Sequence, residues 1–393
     1  MQSKELFFYK ISKEISNTMA DKLKSFLSKY REKTGSDSIL NSRYGEPSYW
    51  ISTGSMALNR ICSGSIKKGI PSGRICILAG ENSVGKSLIA ATLIANAQKD
   101  GCQHVFYFDA EGGAGRKFFE NAGCKPDSIE QVLVETVEDA EIKIIDTFNM
   151  IMEFKKENPD AKFLCVLDSL GALVPQKLFK DAANEKVASE MGGRSKLINN
   201  MMKAITVPCL KSDTPMIVVN HVYDDPSAMF TNKIKNQGGG KGVQYMCSLN
   251  IQCSRNLEKN EEKDAEAFYS QTRLHFFTIK NRMIRPSLEC DIWLDFKKGF
   301  VRQFESLFDE AVRGGFFVPA KQGWYTCPSY EDPAKTFRTS YLKSNQSASV
   351  WKTFLENFDQ WSTSDLSYKA LNQDNEEANE EVNEIDENLE ENE

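Results

Sequence analysis

The sequence lacks several features that would direct it to a membrane or a secreted scaffold. No apolar run approaches the ~18 residues that a membrane-spanning helix needs, and Met1–Glu5 does not have the charged and then apolar pattern of a signal peptide. There are only three histidines, and the ten cysteines are scattered with no C-x-x-C pair, which argues against a zinc or disulfide framework. Cys76 and Cys165 lie in apolar runs, where cysteine acts as a small buried hydrophobe. We therefore expect a protein of a reducing, cytoplasmic compartment with no membrane partner.

Charge is unevenly distributed along the 393 residues. The net charge is −6, but residues 374–393 hold eleven acidic residues and no basic one, and without them the chain carries +5. A mildly basic body with an acidic end is common in proteins that meet polyanions and also occurs in proteins that do not. Residues 371–393 are rich in charge and poor in hydrophobes, so this tail is predicted to be disordered.

One stretch, Gly80–Ser87 (GENSVGKS), has the spacing G-x-x-x-x-G-K-[ST] of a phosphate-binding loop. It follows the apolar run Arg74–Ala79 and precedes the helix-forming segment Leu88–Gln98, which is the order that such a loop needs. Backbone N–H groups and the helix N-terminus attract phosphate, while Lys86 can reach the outer phosphates and Ser87 can bind Mg²⁺. A turn that binds nothing is the alternative, and the intact spacing favours a nucleoside triphosphate. The predicted nucleotide contacts are Gly80, Glu81, Asn82, Ser83, Val84, Gly85, Lys86, Ser87 and Leu88.

The N-terminal region reads as one amphipathic helix. Between Glu5 and Tyr30, apolar residues recur at spacings of three and four, and charged residues fill the other face. A polar linker, Arg31–Ser48, follows, so residues 1–48 are predicted to be a helix and linker outside the core. The apolar stripe either folds back on its own domain or docks on a neighbouring subunit.

From Tyr49 onward, short apolar runs alternate with helical patterns, which predicts an α/β core with a parallel sheet covered by helices on both faces. This core is predicted over residues 49–300, and an aromatic, loop-rich region over residues 301–370 is predicted to be a small separate domain. The expected helices include Ser195–Ile205 and Val301–Val312. The expected core strands are Arg74–Ala79, His104–Asp109, Phe163–Asp168, Met216–Asn220, Leu249–Cys253 and Leu274–Lys280.

Two carboxylates follow predicted strands, at the edge of the sheet where ligands bind. Glu111 comes after Val105–Phe108 and is placed to deprotonate a water that attacks the γ-phosphate, although a solvated acidic turn is the alternative. Asp168 ends the apolar run Phe163–Asp168, and its carboxylate is predicted to hold Mg²⁺ through water. The second pattern is weak alone and becomes stronger beside a phosphate-binding loop.

Two irregular stretches, Gln176–Arg194 and Val222–Gly242, interrupt the regular pattern, and such stretches in a compact domain are usually functional or disordered. The second carries residues that suit nucleic-acid binding, with cations for phosphates and an aromatic for bases: Phe230, Lys233, Lys235 and Lys241. Mobile surface loops are the alternative.

Three residues at strand ends complete the candidate set. His221 stands between the nucleotide face and the second irregular stretch, so it can relay phosphate state or simply be a hydrogen-bonded strand-end histidine. Lys280 and Arg282 close the last long strand, where they either cap a triphosphate, in their own subunit or across a subunit boundary, or form a solvated strand end.

The ordered set of motifs resembles the RecA family of homologous-recombination ATPases over roughly Tyr49 to Thr326. The motifs that carry the likeness are Ile51–Ser55, Gly80–Ser87, Asp109–Glu111, Leu167–Ser169 and Lys280–Arg282. Similarity to the UvsX-type recombinases of T4-like phages rests on three further segments: Asn184–Val187, Asn220-His221 and Gly238–Gly240. The resemblance implies a P-loop NTPase fold with a RecA-like core.

The resemblance also implies roles at matching positions. ATP and Mg²⁺ are the implied cofactors, with Glu111 as the catalytic base and Phe118 stacked on adenine. Lys280 and Arg282 are implied to contact the γ-phosphate of ATP held by the adjacent subunit. The two irregular stretches match the family's DNA-binding loops, and the N-terminal helix matches the arm that docks on the next protomer. DNA contacts are predicted at Arg194, Phe230, Lys233, Lys235, Gly238 and Gly239.

The implied function is a DNA-dependent ATPase that coats single-stranded DNA as a helical homo-oligomer and pairs it with homologous double-stranded DNA. Recombination, repair and replication are the implied processes. The implied partners are a mediator and a single-strand-binding protein, in the cytoplasm of the host if the chain is phage-encoded. A hexameric helicase on the same fold and a non-catalytic mediator paralogue are the alternatives. A helicase usually has a larger N-terminal domain, and a binding module does not need Lys86, Glu111 and Asp168 together.

The sequence departs from bacterial family members at two of these positions. Bacterial members carry Gln where this chain has His221, although the phage branch shares the His. Gly115 replaces an acidic residue that touches adenine in bacterial members, which bears on nucleotide selectivity.

Overall fold

The structure, a computed structural model, describes residues 19, 21–36, 44–178, 193–223, 234–255, 271–295 and 298–368. The chain forms two compact units that divide between Glu46 and Pro47, close to the boundary predicted at residue 48. In the first unit, residues 21–34 form helix α1. The earlier part of the predicted N-terminal helix and the acidic tail lie outside the described residues. Among the helices that the structure describes, none combines the length and the apolar character needed to cross a bilayer.

Helix α1 exposes its apolar side chains. Phe26 and Tyr30 stack with ring centroids 6.1 Å apart. The exposed fractions of the stripe run from 50 % to 71 %, for Met19, Leu23, Phe26 and Tyr30. A helix of this kind gains little from its apolar face unless another surface covers it.

The second unit is built on a ten-stranded sheet. The described residues of this unit form fifteen strands, which make up this sheet and two smaller ones: β1 Trp50–Ile51, β2 Ile70–Pro71, β3 Ile75–Gly80, β4 His104–Asp109, β5 Ile129–Leu133, β6 Phe163–Asp168, β7 Met216–Tyr223, β8 Asn236–Gln237, β9 Leu249–Arg255, β10 Gln271–Asn281, β11 Glu289–Asp295, β12 Gly299–Val301, β13 Val318–Lys321, β14 Trp324–Thr326 and β15 Thr336–Arg338. The helices of this unit are α2 Met56–Ser63, α3 Lys86–Lys99, α4 Arg116–Asn121, α5 Val137–Glu157, α6 Gly193–Lys211, α7 Lys241–Met246, α8 Gln303–Arg313, α9 Thr339–Leu342, α10 Ala348–Lys352 and α11 Leu355–Leu366.

The large sheet runs in the order β12-β11-β10-β9-β3-β7-β6-β4-β5, with β8 paired to β7. The strands from β9 to β5 are parallel to their neighbours in this order, so the predicted mostly parallel α/β fold is confirmed. Among the six predicted core strands, β10 is the one that runs antiparallel to its neighbours, β9 and β11. Strands β5, β11 and β12 have mixed polar and apolar sequences and were not predicted.

Buried residues alternate between the two faces of the sheet. In β3, Cys76 and Leu78 pack into one hydrophobic cluster with α2, α3 and the C-terminal region. Ile75, Ile77 and Ala79 face the other cluster, which contains α5 and α6. Because strands buried on both faces have apolar residues at every position, the core strands read as continuous apolar runs in the sequence.

Local signals in the sequence fix the ends of the main helices. Thr136 caps α5 by accepting a hydrogen bond from the Asp139 backbone N–H at 3.1 Å. The same helix has Glu138 and Asp139 in its first turn and Lys155 and Lys156 in its last, which complements the helix dipole.

The C-terminal region, residues 303–366, packs on the core. Asp359 accepts hydrogen bonds from the Ser65 hydroxyl at 2.8 Å and the Ile66 backbone N–H at 2.7 Å. Arg60, on α2, is buried and pairs with Glu310 at 2.9 Å. Five aromatic residues of the C-terminal region belong to the same hydrophobic cluster as α2 and α3: Phe308, Phe317, Trp351, Phe354 and Phe358. This region and one face of the sheet therefore share a hydrophobic cluster. The predicted division into a core over residues 49–300 and a separate domain over residues 301–370 stays a prediction.

Trp351 is the largest fully buried side chain of this cluster, and its removal should destabilise the second unit. It stacks on Phe304 with centroids 4.9 Å apart, and its indole N–H donates to the Leu342 carbonyl at 2.9 Å. Trp351→Ala is expected to lower the free energy of unfolding by about 3–5 kcal/mol, measured by denaturant unfolding. Val207→Ala, at a residue 52 % exposed on α6, is the control and should change it by less than about 0.5 kcal/mol. Equal effects of the two substitutions would show that the aromatic cluster does not support the core.

Candidate active site

The phosphate-binding loop joins β3, which ends at Gly80, to α3, which begins at Lys86. Gly80 cannot carry a side chain, because a Cβ there would lie 2.8 Å from the Cys253 carbonyl oxygen. Gly85 caps α3 with φ +94°, a left-handed conformation that favours glycine. No side chain caps this helix, so its first N–H groups are open to an anion. The loop therefore has a geometry that fits the phosphates of a nucleotide.

Lys86 is buried at the base of the loop, 6 % exposed. Its Nζ donates to the Glu81 carbonyl oxygen at 2.7 Å and lies 3.3 Å from His221 Nδ1. Burial lowers the pKa of Lys86, and the charges of Asp168 and Glu111 partly oppose that shift. Because this ammonium is poorly solvated, a hydrogen bond to a phosphate oxygen should stabilise it strongly.

Asp168 lies at the end of β6 and is also buried. Its Oδ2 accepts from the Tyr107 hydroxyl at 2.7 Å, and its carboxylate is also hydrogen-bonded to the Ser87 side chain. Burial raises the pKa of Asp168, and these two hydrogen bonds oppose the rise. No cluster of three or more His, Cys, Asp or Glu side chains able to hold a metal ion occurs in the described parts of the chain. Ser87 and Asp168 fit a Mg²⁺ whose other ligands are nucleotide oxygens and water, the mode Mg²⁺ favours.

Glu111 is half-exposed beyond β4, next to the loop. Its Oε1 accepts from the Ser169 hydroxyl at 2.6 Å and lies 3.4 Å from His221 Nε2. The backbone that carries Glu111 is fixed by Asp109, whose Oδ1 accepts from the N–H groups of Glu111 at 3.0 Å and Gly112 at 2.7 Å. The structure thus brings Glu111 together with the loop at one edge of the sheet.

His221 connects these groups. Its Nε2 lies 3.2 Å from Ser169 Oγ, while its Nδ1 faces Lys86, so one imidazole touches both the phosphate lysine and the Glu111 cluster. Gly171 makes room for it, since a Cβ at that position would lie 2.5 Å from His221 Cδ2.

The structure adds residues that the sequence reasoning did not assign a role. Asp109 and Gln131 hydrogen-bond at 2.8 Å, and Ser169 and Tyr107 hold the two carboxylates. Asp109 could have been found from the sequence, because it is an acidic residue at the end of a predicted strand and two positions before Glu111. Nothing local marked Gln131, Tyr107 or Gly171, because their contacts arise from neighbouring strands.

Lys280 and Arg282 lie at the end of β10, and their side chains bind α7 rather than the phosphate loop. Lys280 Nζ donates to the carbonyl oxygens of Gln244 at 3.0 Å and Tyr245 at 2.7 Å. Arg282 Nη2 donates to the Tyr245 carbonyl at 3.3 Å. Within one chain these two cations cap a helix C-terminus, which favours positive charge.

The predicted DNA-binding residues fall in different places. Phe230 and Lys233 lie outside the described residues. Arg194 donates to the carbonyl oxygens of Leu173, at 2.8 Å, and Gly171, and so holds the backbone that follows β6. Lys235 forms an ion pair with Glu81.

The two glycines of this set are buried, and both are packed too closely for a side chain. A Cβ on Gly238 would lie 2.7 Å from Asn220 Oδ1, and one on Gly239 would lie 2.6 Å from Val243 Cγ2. Their tight packing gives them a structural role whether or not DNA contacts them.

The predicted adenine contact, Phe118, is half-buried on α4, edge-to-face with Phe119 at 5.4 Å between centroids. Gly115, at the start of α4, has open space around its Cβ position, so a Cβ there would meet no described atom within 4 Å.

Comparison with known proteins agrees with the geometry. The model of the RecA N-terminal domain matches residues 21–301. The chain is 27 % identical over 270 residues to a "Recombination and repair protein" of Enterobacteria phage T4, a match that covers 68 % of this chain and 64 % of that protein. It is 29 % identical over 297 residues to a plasmid-encoded "Protein RecA" of Lactococcus lactis subsp. lactis, covering 75 % and 80 % of the two chains. A "Protein RecA" of Mycoplasma mobile is 26 % identical over 310 residues, covering 78 % and 86 %.

The burial of Asp168 gives a prediction with a defined dependence on pH. Because the folded-state pKa is raised, ionised Asp168 costs stability at neutral pH, and the cost disappears as pH falls through that pKa towards the unfolded value. Asp168→Asn should therefore be at least as stable as the wild type at neutral pH, with a difference that shrinks in acid. Mg²⁺-dependent nucleotide affinity should fall about 10–100-fold. Denaturant unfolding across pH and nucleotide binding with and without Mg²⁺ measure the two effects.

The exposed carboxylate of Asp146 supplies the matched control, since Asp146→Asn should change neither quantity. A less stable Asp168→Asn variant with no pH dependence would contradict the inferred cost of burial. Unchanged Mg²⁺-dependent affinity would contradict the metal assignment.

Proposed function

The chain belongs to the RecA family, and from that premise we propose that it is an ATP-dependent homologous recombination protein. It forms a helical filament on single-stranded DNA, hydrolyses ATP when bound to DNA, and pairs that strand with a homologous duplex. The proposed processes are recombination, repair and recombination-dependent replication, with a mediator and a single-strand-binding protein as partners.

The observation that carries the proposal is the convergence of four side chains at the carboxyl ends of β3, β4 and β6. Lys86, Ser87, Asp168 and Glu111 come from three separate segments and meet around one loop. This is the position at which α/β sheets bind ligands, and the set contains a phosphate cation, Mg²⁺ ligands and a base.

Each side chain has a task in hydrolysis. The bound nucleotide with Mg²⁺ supplies the activated γ-phosphate and spreads its charge. Lys86 exchanges the Glu81 carbonyl for a phosphate oxygen, and Ser87 and Asp168 orient the metal. Glu111 accepts the proton of the attacking water. The Ser169 hydroxyl and Asp109 act as positioning groups, since they fix the Glu111 carboxylate and its backbone.

His221 relays the state of the site in this proposal. The His221 imidazole lies between Lys86 and Ser169, so its hydrogen bonds change when a phosphate draws Lys86 away. The His221 backbone carbonyl accepts from the Gly238 N–H at 3.0 Å, which connects the imidazole to the glycine-rich segment of the predicted DNA-binding region.

In the filament, further cations for the nucleotide come from the adjacent subunit. Lys280 and Arg282 act on the ATP of the neighbouring subunit, which agrees with their hydrogen bonds to α7 in their own chain. Helix α1 docks its exposed stripe on the next protomer. The exposed apolar residues on and beside α5 are a matching surface: Leu133, Ile142, Met150 and Phe154.

The base assignment is tested by Glu111→Gln. The amide keeps the size of the side chain but cannot accept the proton, so DNA-stimulated ATPase activity should fall roughly 100-fold or more. Binding of ATP and of a labelled oligonucleotide should persist. Asp160→Asn, an exposed carboxylate beyond α5, is the matched control and should turn over normally. Wild-type turnover in Glu111→Gln would refute the assignment.

The role of Lys280 across subunits is tested by mixing two inactive variants. Lys280→Ala and Glu111→Gln should each be inactive alone. Because a head-to-tail interface joins one variant's intact Glu111 to the other's intact Lys280, a one-to-one mixture should regain roughly a quarter of wild-type ATPase activity. A mixture that stays as inactive as its components would place Lys280 in its own subunit's chemistry or outside it.

Filament formation is tested by negative-stain microscopy on long single-stranded DNA with a non-hydrolysable ATP analogue. Continuous helical filaments are expected. Phe26→Ala should shorten or abolish them, because it removes an exposed aromatic ring from the α1 stripe that is proposed to dock on the next protomer. Ser28→Ala, on the opposite face of α1, is the control. Discrete rings on the strand would favour a hexameric helicase, and bare DNA would favour a non-catalytic mediator.

A further inference from the structure

Lys235 is held beside the phosphate loop although it lies far from it in the sequence. Its segment runs back along the end of β7, with Val222 opposite Gln237 in the register. The Lys235 backbone N–H donates to Gln252 Oε1 at 3.0 Å. Gln252 is on β9, opposite Ala79 of β3, the strand that leads into the loop. The strand pairing and this hydrogen bond therefore hold the Lys235 backbone beside the strands that border the loop.

The Lys235 side chain is directed to the second residue of the loop. Its Nζ forms an ion pair with Glu81 Oε1, and the Lys235 side chain is only 19 % exposed. A lysine partly withdrawn from water in this way depends on its anionic partner more than a surface lysine does.

Glu81 thereby serves two cations at once. Its carboxylate holds Lys235 and its backbone carbonyl holds Lys86, at 2.7 Å. A triphosphate bound in the loop takes Lys86 from that carbonyl. The same phosphates repel the Glu81 carboxylate and attract the Lys235 ammonium, so they compete for the second cation as well.

We propose that Lys235 is a phosphate ligand of the nucleotide, held by Glu81 when the site is free and transferred to the phosphates on binding. The inference rests on the proposed function only in taking the Gly80–Ser87 loop as the nucleotide site. It differs from the prediction that Lys235 contacts DNA. The exchange also makes the restraint on residues 234–240 dependent on nucleotide.

The test measures binding of a fluorescent non-hydrolysable ATP analogue with Mg²⁺ and without DNA. Lys235→Gln should weaken binding by at least ~5-fold, because it removes a cation and leaves the Glu81 charge facing the phosphates. Glu81→Gln should tighten binding by about 3–5-fold, because it removes a competitor and a like charge. Lys235→Arg, which keeps the cation, should bind within about 3-fold of the wild type.

The double variant separates phosphate binding from a structural ion pair. If Lys235 binds phosphate, Lys235→Gln costs at least as much affinity in the Glu81→Gln background, where nothing competes for the lysine. If the pair only holds the loop in shape, Lys235→Gln has no effect once Glu81 has lost its charge. Lys203→Gln, an exposed lysine on α6, controls for the change in net charge and should leave affinity unchanged.

Nucleotide affinity that is unchanged in Lys235→Gln, or a loss that vanishes in the Glu81→Gln background, overturns the inference. A loss of oligonucleotide affinity with unchanged nucleotide affinity also overturns it and assigns Lys235 to DNA. The nucleotide assay contains no DNA, so a wild-type protein that fails to bind DNA would refute the recombinase proposal without affecting this result.

Discussion

The hydrogen bond between the Lys86 ammonium and the Glu81 carbonyl closes the phosphate loop on itself, and the surrounding site is arranged around that buried cation. Burial makes the charge costly, as the lowered pKa of Lys86 indicates, so the fold places Asp168 and Glu111 where their charges offset part of the cost. The His221 imidazole also contacts this ammonium, with Nδ1 3.3 Å from Lys86 Nζ. The same poor solvation that costs stability in the free protein strengthens the interaction with a phosphate.

The parallel sheet is what allows these groups to meet. Parallel strands end at a common edge, so Gly80, Asp109 and Asp168 become neighbours although long segments separate them in the chain. The antiparallel strands β10 to β12 extend the sheet laterally beyond β9. Lys280 and Arg282 lie at the end of β10 and bind α7 instead, at the edge of the sheet where β3 and β9 begin.

The two faces of the sheet carry separate hydrophobic clusters. One hydrophobic cluster combines α2, α3 and the aromatic C-terminal region, with Trp351 and Phe317 fully buried in it. The other cluster contains α5 and α6, and it includes Leu170 and Leu173, which follow β6, and Val222 near the end of β7. Gly238 and Gly239 fix the return of the second stretch, because both are packed against side chains that leave no room for a Cβ.

The sequence by itself determined the elements whose signals are local. Double-sided burial made β3, β4 and β6 continuous apolar runs, glycine spacing marked the phosphate loop, and the acidic residues after the strands marked Glu111 and Asp168. Strands β5, β11 and β12, which are half-exposed or at the edge, carried no such signal. Their place depends on pairing with neighbours rather than on their own composition.

Only the tertiary structure decided which side chains complete the site. Gln131 reaches Asp109 from the neighbouring strand β5, Ser169 reaches Glu111 from beyond β6, and Lys235 reaches Glu81 across a separation of 154 residues. Contacts of this kind depend on strand order and register, which no short stretch of sequence encodes. The type of a side chain determines which groups it can bind, and the fold determines which of them lie within its reach.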